Sequence, residues 1–384
     1  MKLNTLVSFT ILCLSNFVFS QWEQSIGTEN LNIQALRNVN NHDFAGGATG
    51  SYVSTDESAT YSFANQGNDD FGPTRGYTSD NDYVYTCTSQ GVFRSDNFGS
   101  SWTSKSDGLP SLLCHGMISV NSYLFVGTPI GVFKSNDQGE NWESAGMDGE
   151  DSRCITSIDD TLFVGTNGNG IFKSINFGDT WISVNNGLTS SNFRAIESKG
   201  NTLFAGGQIG TGVFRSTDFG NSWELLDGGL ATGSYRGFAS NNQLIFAGSF
   251  GSGVYYSVDN GDNWTTLNNG LLDETIFDIE INSNFILAAT NTKGVFRYPI
   301  NDLNLNILEV DQLNMKLYPN PSKEILTIEY NGNGTQKFLI LSMQGKIIRS
   351  GTLDNKAHQI DISDLEPSLY YIQIETEVKQ FIKY

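Results

Sequence analysis

The sequence predicts an all-β chain, a seven-bladed β-propeller followed by a small C-terminal β-sandwich. Three observations carry that expectation. A unit of about forty residues recurs through the first three quarters of the chain, each copy breaks into four short apolar segments bounded by turn residues, and the period stops at Tyr298-Pro299.

The unit is clearest around GVFRSTDFGNSW at 212–223, which recurs as GVFRSDNFGSSW at 91–102, GVFKSNDQGENW at 131–142, GIFKSINFGDTW at 170–181 and GVYYSVDNGDNW at 253–264. The tryptophans that close these runs lie 40, 39, 42 and 41 residues apart. Within one unit, FRAIESKG, NTLFAGG, TGVFRS and TDFGNSWELL at 193–226 read as four antiparallel strands, A to D. A series of four-stranded sheets is the pattern of a propeller.

Two weaker copies complete the count. IQALRNVNNHDFAGG at 33–47 matches FRAIESKGNTLFAGG at 193–207, and Ser54, Asp56, Ser58, Thr60 and Tyr61 form a degenerate turn after it. Residues 276–297 supply strands A to C of a last copy but no fourth strand. QWEQSIG at 21–27 resembles NWESAGM at 141–147, so the start of the chain is expected to close the ring and leave no open sheet edge. All six tryptophans, Trp22 included, then share one column, with Tyr61 as its seventh member.

Residues 1–20, MKLNTLVSFTILCLSNFVFS, combine Lys2, an apolar run and a small residue before Gln21, the grammar of a secretory signal peptide. No later run is long and apolar enough to span a membrane. The formal charge of −19 argues against nucleic acid as a partner, because phosphate binding needs basic neutralisation. Once the leader is removed, Cys87, Cys114 and Cys154 remain; buried thiols are the main expectation, with a Cys114–Cys154 disulfide as the alternative. No Cys/His spacing suggests a metal, and no cofactor is expected.

The repeated S-x-[DN]-x-G-x-[STN]-W comprises Ser95, Asn97, Gly99 and Trp102; Ser135, Asp137, Gly139 and Trp142; Ser174, Asn176, Gly178 and Trp181; Ser216, Asp218, Gly220 and Trp223; and Ser257, Asp259, Gly261 and Trp264. Short polar side chains that bond nearby backbone, a glycine free to take positive φ and a tryptophan to bury describe a turn. Copies facing several directions cannot share one substrate. The motif resembles the Asp-box of the bacterial neuraminidase repeat family, which implies a propeller over residues 21–300 and a structural turn between strands C and D.

Function is therefore sought at the opposite end, where B–C loops and D–A connections lie. Aligned starts of the A strands give one column: Gln34, Arg75, His115, Arg153, Arg194, Arg236 and Phe277. Four of the nine arginines fall in it. Innermost in a propeller, the column is a candidate anion or sugar-acid site formed by Arg75, His115, Arg153, Arg194 and Arg236, since guanidinium forks suit carboxylate and phosphate. The competing expectation is structural, with each arginine bonding a neighbouring blade or an acid such as Asp151 or Asp227. A second basic column on strand C, Arg94, Lys134, Lys173, Arg215 and Arg297, is expected to be a solvated or interblade face. Aromatic-Arg starts at 193–194 and 235–236 are similar to those of sialidases, but no Pro follows and Asp278 is the one acid placed beside the column, so no catalytic residue is assigned.

After a linker at 301–312, residues 313–384 form short alternating strands. Leu317-Tyr318-Pro319-Asn320-Pro321, Gly345-Lys346, Ser368-Leu369-Tyr370-Tyr371-Ile372 and Lys383 resemble the C-terminal sorting domain of type IX secretion substrates. That resemblance implies export through the type IX machinery of a gram-negative bacterium to the surface or medium. The expected protein is a monomeric propeller that binds a glycan or protein ligand through its loop face; the alternatives are a glycoside hydrolase or lyase and a structural adhesion component.

Overall fold

The computed structural model describes residues 21–65, 71–208, 210–303, 316–329, 336–342, 346–353, 357–374 and 377–384. The expected leader at 1–20 and residues 304–312 of the expected linker lie outside these. The chain divides into two compact units, residues 1–303 and 304–384. Among the described residues there is no α-helix, and no helix long and apolar enough to cross a membrane.

The first unit contains seven four-stranded antiparallel sheets. One is built from Phe193–Lys199, Thr202–Gly207, Val213–Ser216 and Glu224–Leu226, paired in chain order. Five others follow the same plan. The last consists of Ile276–Ile281, Phe285–Thr290 and Val295–Pro299, with Glu23–Gln24 from the start of the chain as its outer strand. Glu23 lies opposite Arg297 and Gln24 opposite Phe296. Each inner strand packs against that of the next sheet, and Ile276–Ile281 packs against Ile33–Val39, which closes the circle.

Burial explains the composition of each strand. Strand B is covered on both faces by neighbouring sheets, so LFVGT at 162–166 and IFAGS at 245–249 are buried throughout. Strand D is outermost; at Thr265–Thr266 and Ile182–Ser183 it is short and exposed. Apolar clusters therefore lie between sheets, as where Phe204 and Val213 meet Tyr235, Ile245 and Trp264.

The C–D turns share one hydrogen-bond pattern. The Ser216 hydroxyl donates to Asp218 Oδ1 at 2.8 Å and accepts the Gly220 N–H at 2.9 Å, while Asp218 Oδ1 accepts the Ser222 N–H at 2.9 Å. Phe219 and Gly220 are both left-handed, at φ 57° and 77°, which explains glycine at the second position. The degenerate copy folds the same way: Ser54 bonds Asp56 and the Ser58 N–H, with Ser58 at φ 61°. Its Ser58 hydroxyl also donates to Asp43 at 2.7 Å.

The following tryptophan ties the turn to the preceding sheet. The indole N–H of Trp102 donates to the carbonyl of Ala64, that of Trp142 to Lys105, Trp181 to Ala145 and Trp223 to Val184, all at 2.7–2.8 Å. Trp22 makes the corresponding bond to Leu267, whereas Trp264 bonds Gly261 within its own turn. Most of these rings are buried; Trp181 is half-buried.

Among the described residues the second unit has two antiparallel sheets. Lys316–Tyr318, Ile325–Glu329 and Ala357–Asp361 form one; Gln336–Ser342, Ile347–Leu353, Ser368–Ile374 and Glu377–Lys383 form the other. Leu326, Ile328 and Ile360 from the first share a core with Phe338, Ile340, Ile372 and Phe381 from the second.

The alternative Cys114–Cys154 disulfide is not formed. Cys87 and Cys114 are buried free thiols and Cys154 is a half-buried one. Burial raises all three thiol pKa values, to about 12 for Cys114 and Cys154, so they act as small apolar fillers.

Candidate functional site

The seven residues aligned at the starts of the inner strands all line one cavity of ≈ 280 Å³ at the centre of the ring. A shared irregularity places them there. In six of the seven inner strands the register shifts across the column residue, between Ile33/Ala35, Thr74/Gly76, Ser152/Cys154, Phe193/Ala195, Tyr235/Gly237 and Ile276/Asp278. A β-bulge leaves one residue unpaired and re-aims its side chain. His115 lies just before its strand, its N–H donating to the Gly127 carbonyl at 2.9 Å.

The next residue on each strand is small in six sheets: Ala35, Gly76, Gly116, Cys154, Ala195 and Gly237. The strands are close here, and a Cβ on Gly237 would lie 2.5 Å from the Cα of Asp278. Asp278 is the exception. Its carboxylate crosses to the neighbouring inner strand and accepts the Leu36 N–H at 2.8 Å.

The two basic columns differ in their partners. On strand C, each cation reaches the turn of the next sheet: Arg94 donates to the Gln138 carbonyl, Lys134 to Phe177, Lys173 to Phe219, Arg215 to Asn260 and Arg297 to Glu57. Acids reinforce most of these contacts, as where Arg215 meets Asp262 and Glu224 at 2.7 Å. This face is interblade. In the inner column, Arg153 pairs with Asp151, and His115 Nε2 lies 3.4 Å from the same carboxylate without hydrogen-bond geometry. Arg236 stacks 3.8 Å from the Phe250 ring centre and 5.1 Å from that of Phe277. Among the described residues, Arg75 and Arg194 have neither hydrogen bond nor ion pair, and Asp227 pairs with no arginine. The Nε atoms of Arg75, Arg153, Arg194 and Arg236 are buried and unpartnered.

Burial, and after it mutual repulsion, disfavour the charged forms in this column. Burial, then the neighbouring Arg153, hold the His115 pKa down at about 4, so the ring is neutral near pH 7. Burial and Arg153 also lower that of Arg194; burial and Arg194 lower that of Arg236.

The cavity also holds acids that sequence reasoning missed. Glu197 and Glu280 line it with Asp278, each three residues beyond a column position. Glu197 accepts a hydrogen bond from Ser240 at 3.2 Å, and Glu280 lies 3.9 Å from Arg37. Burial, with Glu280 as the next cause, raises Glu197 to about 7. Burial raises Asp278 to about 8 despite two backbone donors, and Glu280 to about 7 despite Arg37. Among the described residues no group of three His, Cys, Asp or Glu is arranged to hold a metal ion.

Residues 316–384 match the family described as the secretion system C-terminal sorting domain, which indicates export by type IX secretion to the medium or the cell surface. No curated protein matches the chain in sequence. Among solved structures, the chain is similar to PorZ of Porphyromonas gingivalis, described as an essential bacterial surface component of the type IX secretion system, with 12% identity over 94% of this chain and 60% of that one and a TM-score of 0.56. It is also similar to YCF48 bound to D1 peptide, with 15% identity, 73% and 98% coverage and a TM-score of 0.58. A GH74 xyloglucanase of Xanthomonas campestris gives 16% identity, 74% and 54% coverage and 0.58. The chain thus spans a little over half of the xyloglucanase and three fifths of PorZ. At these identities the likeness is one of fold, and that fold is β-propeller-like.

Proposed function

We propose that this chain is an exported seven-bladed propeller with Asp-box turns and a β-sandwich sorting domain, which captures the acid group of a glycan or protein ligand at the mouth of its central cavity. The observation that carries this reading is the contrast between the two basic columns. Strand-C cations are consumed by the next turn, whereas Arg75 and Arg194 are held in a shared cavity with no protein acceptor. Clustering unpaired guanidiniums in a low-dielectric site is unfavourable without an anion, and their forked donors suit a carboxylate or phosphate. Arg75, His115, Arg153, Arg194 and Arg236 are the residues assigned to it. The test is a glycan and acidic-peptide binding screen on the purified protein beside Arg194→Gln: acid-bearing ligands bound by wild type and weakened in the variant support the reading, and a wild type that binds no anion removes it.

A second reading, glycoside hydrolysis, is favoured by one observation. The carboxyls of Glu197, Asp278 and Glu280 share the arginine cavity and retain protons near neutral pH, as a general acid must. Turnover of chromogenic acidic glycosides, abolished in Glu197→Gln, would support it.

A further inference from the structure

The cavity carries charge of both signs in separate tiers. Arginines occupy the bulge tier. Asp278 follows one residue deeper on its strand, and Glu197 and Glu280 lie three residues beyond the column. Along Phe193–Lys199, Arg194 and Glu197 are thus separated by about 10 Å of backbone at ~3.3 Å per residue. Arg37 is the one cation among the cavity-lining residues at the depth of these acids; it pairs with Glu280 and acts on Glu197 only through longer-range attraction. Glu197 has a single hydroxyl donor and Asp278 two backbone donors; neither forms a salt bridge among the described residues.

A ligand bearing only an anion would leave Glu197 and Asp278 without a cationic partner as they ionise. Resting on the anion-capture reading, we propose that the cavity takes a small zwitterion, its carboxylate on the arginine tier and an ammonium group several ångströms away on Glu197 and Asp278. One molecule then offers each tier a group of opposite charge, and a cavity of ≈ 280 Å³ suits a molecule, or an entering chain end, of roughly the size of an ω-amino acid or dipeptide. An ammonium is a compact three-donor cation suited to carboxylate acceptors. The raised carboxyl pKa values agree with acids that await a cation.

Matched probes test the assignment by calorimetry on the purified protein: pentanoate, pentylamine and 5-aminopentanoate. The expected result is that 5-aminopentanoate binds about tenfold more tightly than pentanoate, the worth of one charge-assisted hydrogen bond. In Glu197→Gln that advantage should shrink to less than about threefold while pentanoate binding holds or improves. Raising the pH from 6 to 8.5 on wild type provides the same contrast without mutation: as Glu197, Asp278 and Glu280 ionise, the preference for 5-aminopentanoate should grow and pentanoate should weaken. Equal binding of pentanoate and 5-aminopentanoate at both pH values overturns the zwitterion assignment and leaves anion capture standing; pentylamine binding as tightly as 5-aminopentanoate also overturns it. Failure of both carboxylate probes, together with unaltered behaviour of Arg194→Gln, removes the anion reading itself.

Discussion

Glu23, near the start of the described chain, lies directly across the ladder from Arg297, and the two side chains meet at 3.1 Å. This pair marks the seam where the ring is closed by strands from its two ends. Arg297 also donates to the Glu57 carbonyl in the turn of the first sheet, so the seam is tied on both sides. Deleting residues 21–30 should remove Trp22 and its bond to Leu267, expose the edge of Val295–Pro299 and promote aggregation. A truncated chain that melts as cooperatively and at the same temperature as the intact one would contradict this closure.

The turns should be sensitive at their left-handed glycines. Gly220 sits at φ 77°, and a Cβ there would lie 3.2 Å from the Phe163 ring. Gly220→Ala is expected to cost about 1–2 kcal/mol. Trp223→Phe, which loses the bond to Val184, should cost roughly 1 kcal/mol or more. Chemical denaturation of both variants measures these values.

The two basic columns predict opposite responses to neutralisation. Arg215→Gln strands the Asn260 carbonyl and two acids and should destabilise by about 1 kcal/mol, discounted for the exposure of those acids. Arg194→Gln removes an unpaired, partly buried charge, so its melting temperature should equal or exceed that of wild type. A marked loss of stability in Arg194→Gln would show that the inner column is architectural.

Stability should peak in mildly acidic solution. Folding raises the carboxyl pKa of Glu197 and Glu280 to about 7 and that of Asp278 to about 8, mainly through burial. Their contribution is complete below pH ~4, the unfolded range, declines as pH rises from there, and is lost once pH passes 7 to 8. His115 has the opposite sign: its pKa falls to about 4 on folding, so its contribution is present above pH ~6.5 and is lost as pH drops towards 4. Three raised carboxyls outweigh one lowered histidine, so thermal melts from pH 4 to 9 should show stability highest near pH 4 to 5 and falling towards pH 8, and Glu197→Gln should make that fall shallower.

For the second unit, a fusion of residues 310–384 to an inert reporter should reach the surface or medium of a cell with type IX secretion. Retention of the fusion in the periplasm would show that the 316–384 match is insufficient for sorting.

Local, repeated chemistry was legible from residues alone. Ser216, Asp218 and Gly220 bond one another within seven residues, so every copy announces the same turn, and the copy lacking a fourth strand announces the seam at Trp22. The inner column was also legible, because repetition aligns Arg75, Arg153, Arg194 and Arg236. Glu197 and Glu280 were not. Period-two alternation places every second residue on one face, but the bulge adds a residue and shifts that phase by one, so the third residue after the column, as Glu197 after Arg194, also reaches the cavity. That bulge lies in the register between strands A and B, and the convergence of Glu197 with Glu280 depends on ring closure between distant sheets. Whether a buried arginine has a partner is likewise a property of its surroundings. Arg215 and Arg194 are the same residue type at equally repeated positions, yet one meets a carbonyl of the next sheet and the other the central cavity.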